Sequence, residues 1–367
     1  MTATHKHIHT FLPVLVLREL AKRNIDPCHK KALDFALKLQ RRRQRIVGGF
    51  FNRHTAVNTG RIDTGNAQVQ IYDAQGQEVQ PGVKARFEGE APVADKVVNA
   101  SFDYNTIVRE FYRKVFGRNS INDKGMDLVR TVHYGDAFNN AFWDGTQMVY
   151  GDGDGTIFTT FVSLDVNGHE MTHGVTEFDS AEEYFGMSGA LNESNSDIGG
   201  EMIEQWHLGQ TADKADWLVG KGIWAPGING TALRSMIAPG TAYDDPKIGK
   251  DPQPAHMRNY VKTRRDQGGV HINSGIPNKA FVNFALAIGG NSWELPGKVW
   301  YQARKKAGST PSFYQFAYWT IEVVKGMGVA GAEAKLLAAW DAVGVTPDKN
   351  KDDDRTPARL LRGRKGK

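Results

Sequence analysis

An α+β protein of two lobes, the first rich in strands and the second helical, follows from three features of the 367-residue chain. Short alternating apolar runs such as Ala67-Val69-Ile71, closed by Asp73-Ala74-Gln75-Gly76, mark the stretch from Gly48 to about residue 160. Further on the apolar period lengthens to that of helices. Phe313, Phe316, Ala317, Thr320, Ile321 and Val324 share one stripe, and Leu336, Leu337, Trp340 and Val343 another. Between the two regimes stands His169-Glu170-Met171-Thr172-His173, the pattern H-E-x-x-H, which puts a polar cluster and hence a cleft at the lobe junction.

Residues 1–47 read as a detachable segment. Val14, Leu17, Leu20 and Ala21 have helical spacing, as do Ala32, Phe35, Ala36 and Leu39, with Pro27 breaking the run. Arg41-Arg42-Arg43-Gln44-Arg45 then forms a polar, protease-accessible joint ahead of Ile46-Val47-Gly48-Gly49. This segment carries a net +8, residues 348–367 carry +4, and the remainder carries −7, so basic ends face an acidic body on which they can dock. Nucleic acid is not expected as a partner, because the tail from Arg355 to Lys365 lacks aromatics for base stacking and reads as a solvated end.

The apolar run Phe11–Leu17 is too short to span a bilayer, and Arg18, Glu19, Lys22 and Arg23 stand where a signal cleavage site belongs. Neither a signal peptide nor a membrane segment is expected, and secretion by a signal-independent route is favoured over a cytoplasmic location. The lone Cys28 rules out an intramolecular disulfide, and a monomer is expected. One helix interrupts the strand-rich lobe, with Ile107, Val108, Phe111, Tyr112 and Val115 on one face.

The H-E-x-x-H segment is where chemistry enters. Residues four apart lie one turn apart on a helix face, so His169 and His173 can aim two imidazole nitrogens at one point. Glu170 adjoins that face and suits the role of holding a metal-bound water and taking its proton. Catalytic zinc keeps three protein ligands and one open position. Glu193 supplies the third, in Ser188–Ile198, which reads as a second helix after Gly186 and Gly189. Asp197, one turn beyond, can accept the second N–H of a zinc-bound histidine. The plainer alternatives are two solvated histidines and an exposed acidic face.

At this point the chain resembles the thermolysin family of zinc endopeptidases. Asn139-Asn140-Ala141-Phe142-Trp143, Met148–Gly155, the two zinc segments and Gly268-Gly269-Val270-His271-Ile272-Asn273-Ser274-Gly275 follow in family order from about residue 100 to about 345. The short leading segment is nearest the protealysin-like subgroup. The resemblance implies a two-lobed thermolysin-like zincin, with a propeptide over 1–47, an N-terminal catalytic lobe over 48–180, a helical lobe over 181–347 and a basic tail over 348–367. It also implies one catalytic zinc and peptide or protein substrates. In the subgroup a Pro-containing apolar motif of the leader occupies the active site, so the chain's own N-terminal segment is expected to inhibit it, with Leu12-Pro13-Val14-Leu15 as the nearest match to that motif.

Further roles come by the same route. His271, in a Gly-rich turn, and Tyr184 are implied to stabilise the oxyanion. Asp266, five residues before His271, can pair with it and favour its protonated form. Asn140 and the backbone of Ala141 match the edge strand that pairs with an extended substrate. Arg234 matches the arginine on the leaving side of the scissile bond. Phe158, Phe161, Val166, Val219 and Leu233 fall where the family lines its main pocket, which implies a bulky apolar residue just after the cut. Asp165, Glu204 and Asp216 match carboxylates of a paired calcium site whose other acids are here Leu218 and Lys221, so at most one calcium is expected. Gly151-Asp152-Gly153-Asp154-Gly155 reads as a Gly-Asp turn rather than a calcium loop. A non-catalytic zincin-like protein held shut by its N-terminal segment is the competing reading. Loss of Glu170, His271 or Tyr184 would favour it, and all three are present.

Overall fold

The computed structural model describes residues 9–23, 27–46 and 67–352. The leading segment forms a short strand, β1 (His9–Thr10), and two helices, α1 (Val14–Arg23) and α2 (Pro27–Ile46). Their apolar stripes are used as the spacing predicts: Val14, Leu17, Leu20, Ala32 and Ala36 are buried in the main core. The polar joint at Arg41–Arg45 differs from expectation, since its backbone continues the last turns of α2. The residues after it, 47–66, and most of the basic tail, 353–367, lie outside the described residues.

The first lobe is built on a six-stranded sheet ordered β1-β5-β6-β4-β2-β3, from β2 (Val69–Asp73), β3 (Val83–Phe87), β4 (Leu128–Val132), β5 (Ala141–Trp143) and β6 (Met148–Tyr150). β2, β4 and β6 run parallel, while β5 runs antiparallel to β6. β1 adds antiparallel to the free side of β5, pairing His9 with Trp143 and Thr10 with Phe142. The leader therefore covers a sheet edge that otherwise presents open backbone donors and acceptors.

Helix α3 (Lys96–Phe116) starts at Asp95, whose carboxylate accepts the N–H groups of Val97 and Val98, and stops at left-handed Gly117. It packs on the sheet and braces the next helix through a hydrogen bond between Tyr112 and Thr172. That helix, α4 (Leu164–Asp179), and its partner α5 (Gly186–Leu208) are the most extensively packed pair in the molecule. Glycine sets their spacing. A Cβ on Gly168 would lie 2.9 Å from Gly200 Cα, one on Gly199 2.3 Å from the Thr172 hydroxyl, and one on Gly200 2.5 Å from the Asp165 carbonyl. Three missing methyl groups thus let two helices approach closely enough to share side chains.

The second lobe continues through the hairpin β7 (Leu218–Val219) and β8 (Arg234–Ser235), a smaller hairpin β9 (Asp244–Asp245) and β10 (Gly249–Lys250), then helices α6 (Asp266–Asn273), α7 (Gly275–Ile288), α8 (Leu295–Ala307), α9 (Phe313–Met327) and α10 (Ala332–Asp341). The α9 stripe is buried as spaced, and a box of reciprocal bonds between Ser312 and Gln315 caps its start. In α10, Leu336 and Trp340 are buried but Leu337 is 40% exposed, so the apolar face is narrower than the sequence pattern.

Candidate metal centre and peptide groove

His169 and His173 sit one turn apart on α4, both wholly buried, and Glu193 reaches them from α5. Their Nε2 atoms are 3.0 Å apart. Glu193 Oε1 lies 3.4 Å from His173 Nε2, and Oε2 lies 3.5 Å from His169 Nε2. A tetrahedral zinc with ligands at about 2.0–2.1 Å separates them by roughly 3.3 Å, and each of these pairs, with one Glu193 oxygen turned to each histidine, is near that separation. Two imidazoles nose to nose beside a carboxylate, in a site without water access, fit a cation and fit little else.

The rear of each histidine is held. His169 Nδ1 is 2.8 Å from Asp197 Oδ1. Burial alone would raise the Asp197 pKa, but the Arg234 guanidinium and His169 hold it well below the usual carboxylate range. His173 Nδ1 lies 2.6 Å from Asn192 Oδ1, to which it donates, and 3.0 Å from Ser196 Oγ. The sequence reading missed Asn192 and Ser196. They are four residues apart, on the helix that carries Glu193 and Asp197, and that spacing was the available signal.

Facing the ligand set are Tyr184 and His271. The Tyr184 hydroxyl donates to Glu193 Oε1 and stands 3.2 Å from His271 Nε2. His271 Nδ1 is 2.7 Å from Asp266 Oδ1, and the His271 N–H donates to Asp266 Oδ2. Burial would depress the His271 pKa, yet the charges of Glu193 and Asp266 lift it to about 9. Asp266, Gln267, Gly268 and Gly269 are all left-handed, and a Cβ on Gly268 would meet the Gly186 backbone at 2.8 Å. This turn swings Asp266 back onto His271. Glu170 is wholly buried on α4 next to His169.

The leader runs through this site. Phe11 N–H donates to the Ala141 carbonyl at 3.0 Å, and Leu12 N–H donates to Asn140 Oδ1 at 3.0 Å. The Thr10 carbonyl accepts from His271 Nε2 at 3.1 Å, and the Phe11 carbonyl faces Arg234 Nη1 at 3.5 Å. The Phe11 ring stands edge-on to His169, with centroids 5.2 Å apart, under the Arg234 guanidinium and against Gly220. The expectation that Leu12-Pro13-Val14-Leu15 fills the cleft is corrected accordingly. Thr10, Phe11 and Leu12 lie in the groove, and Pro13 only begins the turn into α1, where its carbonyl accepts from Val16 and Leu17.

Of the residues expected to line the pocket, Val219 and Leu233 are bonded neighbours, with Leu233 N–H donating to the Val219 carbonyl, and both adjoin Gly220 and Arg234. Phe158 and Phe161 pack against each other with centroids 5.5 Å apart, and Phe158 stacks on Trp224. Val166 lies on α4 one turn before His169.

The acids expected to hold calcium do not form an oxygen cage. Asp165 is taken up by the Ser163 hydroxyl and the Gly220 N–H, and Asp216 by the Lys221 ammonium. Burial, then the neighbouring Asp165 and Asp216, push the Glu204 pKa up to about 7, and burial together with Glu204 also raises that of Glu201. At Gly151–Gly155, Asp154 Oδ1 accepts from the N–H groups of Thr156, Ile157 and Phe158, which is the expected turn. Its other oxygen holds the leader through His29 Nε2 at 2.7 Å. Apolar packing of Phe11, Leu12, Val14, Leu17 and Leu20 joins this contact in docking the leader on the body, while the side chains of Arg41, Arg42, Arg43 and Arg45, which carry much of its charge, lie outside the described residues.

The sequence matches the thermolysin metallopeptidase catalytic domain over residues 47–177 and the alpha-helical domain of the same peptidases over residues 180–345. It is 48% identical over 289 residues to an extracellular metalloprotease of Pectobacterium carotovorum subsp. carotovorum, covering 78% of this chain and 83% of that protein. It is 45% identical over 290 residues to protease PrtS of Photorhabdus sp. (strain Az29), covering 78% and 77%. The solved precursor of protealysin, a metalloproteinase from Serratia proteamaculans, superimposes with a TM-score of 0.82 at 42% identity, over 92% of this chain and 100% of that one. Two consecutive domain matches that together span most of the chain, with a ligand set converging between them, place this protein: it belongs to the thermolysin family of metallopeptidases.

Proposed function

We propose that His169, His173 and Glu193 hold the zinc of this zinc-dependent endopeptidase, a protein made as a precursor. The buried convergence of the two Nε2 atoms, 3.0 Å apart, with a Glu193 oxygen within 3.5 Å of each carries this assignment. When bound, zinc polarises the substrate carbonyl and acidifies a water. The remaining work falls to the chain's own groups. Glu170 takes the proton of the attacking water and delivers it to the leaving nitrogen. His271 Nε2 and the Tyr184 hydroxyl donate to the developing oxyanion, with Asp266 holding the imidazole protonated and aimed. Asp197 fixes the tautomer of His169 and at the same time orients Arg234, which holds the carbonyl on the leaving side.

Asn140 and the Ala141 carbonyl bind substrate as an added strand. Phe158, Phe161, Val166, Val219 and Leu233 make an apolar pocket, so cleavage products should begin with Leu, Phe, Ile or Val. In the precursor the leader, residues 1–47, blocks this groove, with Thr10, Phe11 and Leu12 lying in it. For Asp165, Glu204 and Asp216 the reading is at most one calcium, with Lys221 already supplying positive charge. Among the described residues no helix is long and apolar enough to cross a membrane, and the naming of the Pectobacterium relative as extracellular supports secretion.

The test is to incubate zinc-loaded protein with a protein substrate, with and without chelator, and to sequence the new termini. Chelator-sensitive cuts before apolar residues are expected. Cuts that survive chelation, or acidic and basic residues after the cut, would refute the assignment.

A further inference from the structure

We propose that the Thr10–Phe11 peptide bond is held as a substrate and is the protein's own first cleavage site, so that the leader is a self-limiting inhibitor. The proposal rests on the site assignment above. Direction and register carry it. Residues 9–12 run antiparallel to β5, with Phe11 N–H on the Ala141 carbonyl and Leu12 N–H on Asn140. Consecutive carbonyls meet two side-chain donors, Thr10 at His271 and Phe11 at Arg234. The carbonyl at the oxyanion donors is that of Thr10, so the bond across the site is the one joining Thr10 to Phe11.

The side chain after that bond agrees. Phe11 is wholly buried, edge-on to His169, in the pocket bounded by Gly220, Leu233 and Arg234. A Cβ on Gly220 would come within 3.2 Å of the Phe11 ring tip, so glycine makes room for it. Phe is one of the bulky apolar residues that such a pocket selects. Proline flanks neither side of the bond, so the nitrogen is free to become a leaving amine.

The step is an ordinary hydrolysis. Water adds to the Thr10 carbonyl carbon and its proton passes to Glu170. The oxyanion is held by His271 and Tyr184. The bond to Phe11 nitrogen then breaks as that nitrogen takes up the proton. The products are residues 1–10, ending in a Thr10 carboxylate, and a chain that begins with a Phe11 ammonium. Strand β1 is freed from the sheet edge, whereas α1 stays docked through Val14, Leu17 and Leu20. The severed leader leaves slowly, and a second cut near residues 40–50 completes its release.

The experiment adds zinc to the full chain at several dilutions, with an apolar test peptide present, and follows intact mass and N-terminal sequence with time. A new chain starting at Phe11 is expected, at a rate independent of dilution and at least 100-fold reduced in Glu170→Gln. Phe11→Leu should be cut and Phe11→Asp should not. In parallel, amide exchange is measured on metal-free Glu170→Gln chain, where Phe11→Gly should lose at least ten-fold of the protection at residues 9–12. Cleavage of the test peptide with Thr10–Phe11 intact overturns the proposal and leaves the site assignment standing. Absence of both cuts overturns the two together. Unchanged protection in Phe11→Gly overturns the anchoring role of Phe11.

Discussion

Helices α4 and α5, with Asp216 beyond them, carry two clusters of potential metal ligands, and the two behave differently. At the first, His169, His173 and Glu193 converge on one point, with every other polar atom of the histidines already engaged. At the second, Asp165, Glu201, Glu204 and Asp216 gather negative charge but no common focus. Asp165 and Asp216 are bonded elsewhere, and burial pushes Asp165, Glu201 and Glu204 toward protonation. Residue type is equally suggestive in both places. What separates them is how the neighbours orient the ligand atoms, and at the second cluster the Lys221 ammonium already pairs with Asp216.

The sharpest test of the first cluster is Glu170→Ala. It should lower proteolysis by about 10²–10⁴-fold while zinc content stays near one per chain, since it removes a base and no ligand. Metal analysis alongside turnover checks this, and joint loss of zinc and activity would make Glu170 a ligand instead. Glu193→Ala should do the reverse, lowering zinc content after dialysis before any assay is run. Gly200→Val tests the spacing itself. Its branched side chain meets the Asp165 carbonyl, so a loss of roughly 1–3 kcal/mol in denaturant unfolding is expected, with weaker zinc retention. Equal retention would show that close approach of the helices is not what aims Glu193.

The second cluster is sharpened by adding what it lacks. The double change Leu218→Glu and Lys221→Glu should make melting temperature rise by several degrees with millimolar calcium, while the unaltered chain shows a much smaller response. If the double variant ignores calcium, missing acids are not the reason the cluster lacks a focus. The smallest effect is expected at His133, away from both clusters, where hydrogen bonding to Asp152, with Asp95 adding to it, lifts the pKa to about 9. Its folded value lies above the ordinary one, so its stabilisation is full below about pH 6.5 and fades as pH rises through 9. His133→Gln should therefore cost melting temperature at pH 6 and almost none at pH 10. An equal cost at both would mean that packing, not charge, is lost.

The proposed zinc ligands were legible because a helix makes a four-residue interval into a shared face, and Glu193 with Asp197 repeats that interval. Strand β2 and helices α3 and α9 were legible for the same reason of period. The leader's contact with the site was not. Placing Phe11 beside His169, with Leu12 next in the groove and Pro13 outside it, depends on how α1 and α2 dock on a distant sheet edge, and no local pattern encodes that. Leu337 misled because a narrow helix face and a wide one have the same spacing. Gly168, Gly199 and Gly200 were readable only as small residues, since what their missing Cβ atoms admit belongs to the partner helix.

The covalent connection between leader and body has a consequence in concentration. Under the proposed inhibition, the local concentration of the blocking strand in the continuous chain is set by tether length and does not fall on dilution. After the proposed cut, occupancy of the groove would depend on how many molecules share the volume. A dense population would then stay quiet and a dispersed one become active. The bonds at Ala141, Asn140 and His271 would set a storage limit before the cut and a threshold of crowding after it.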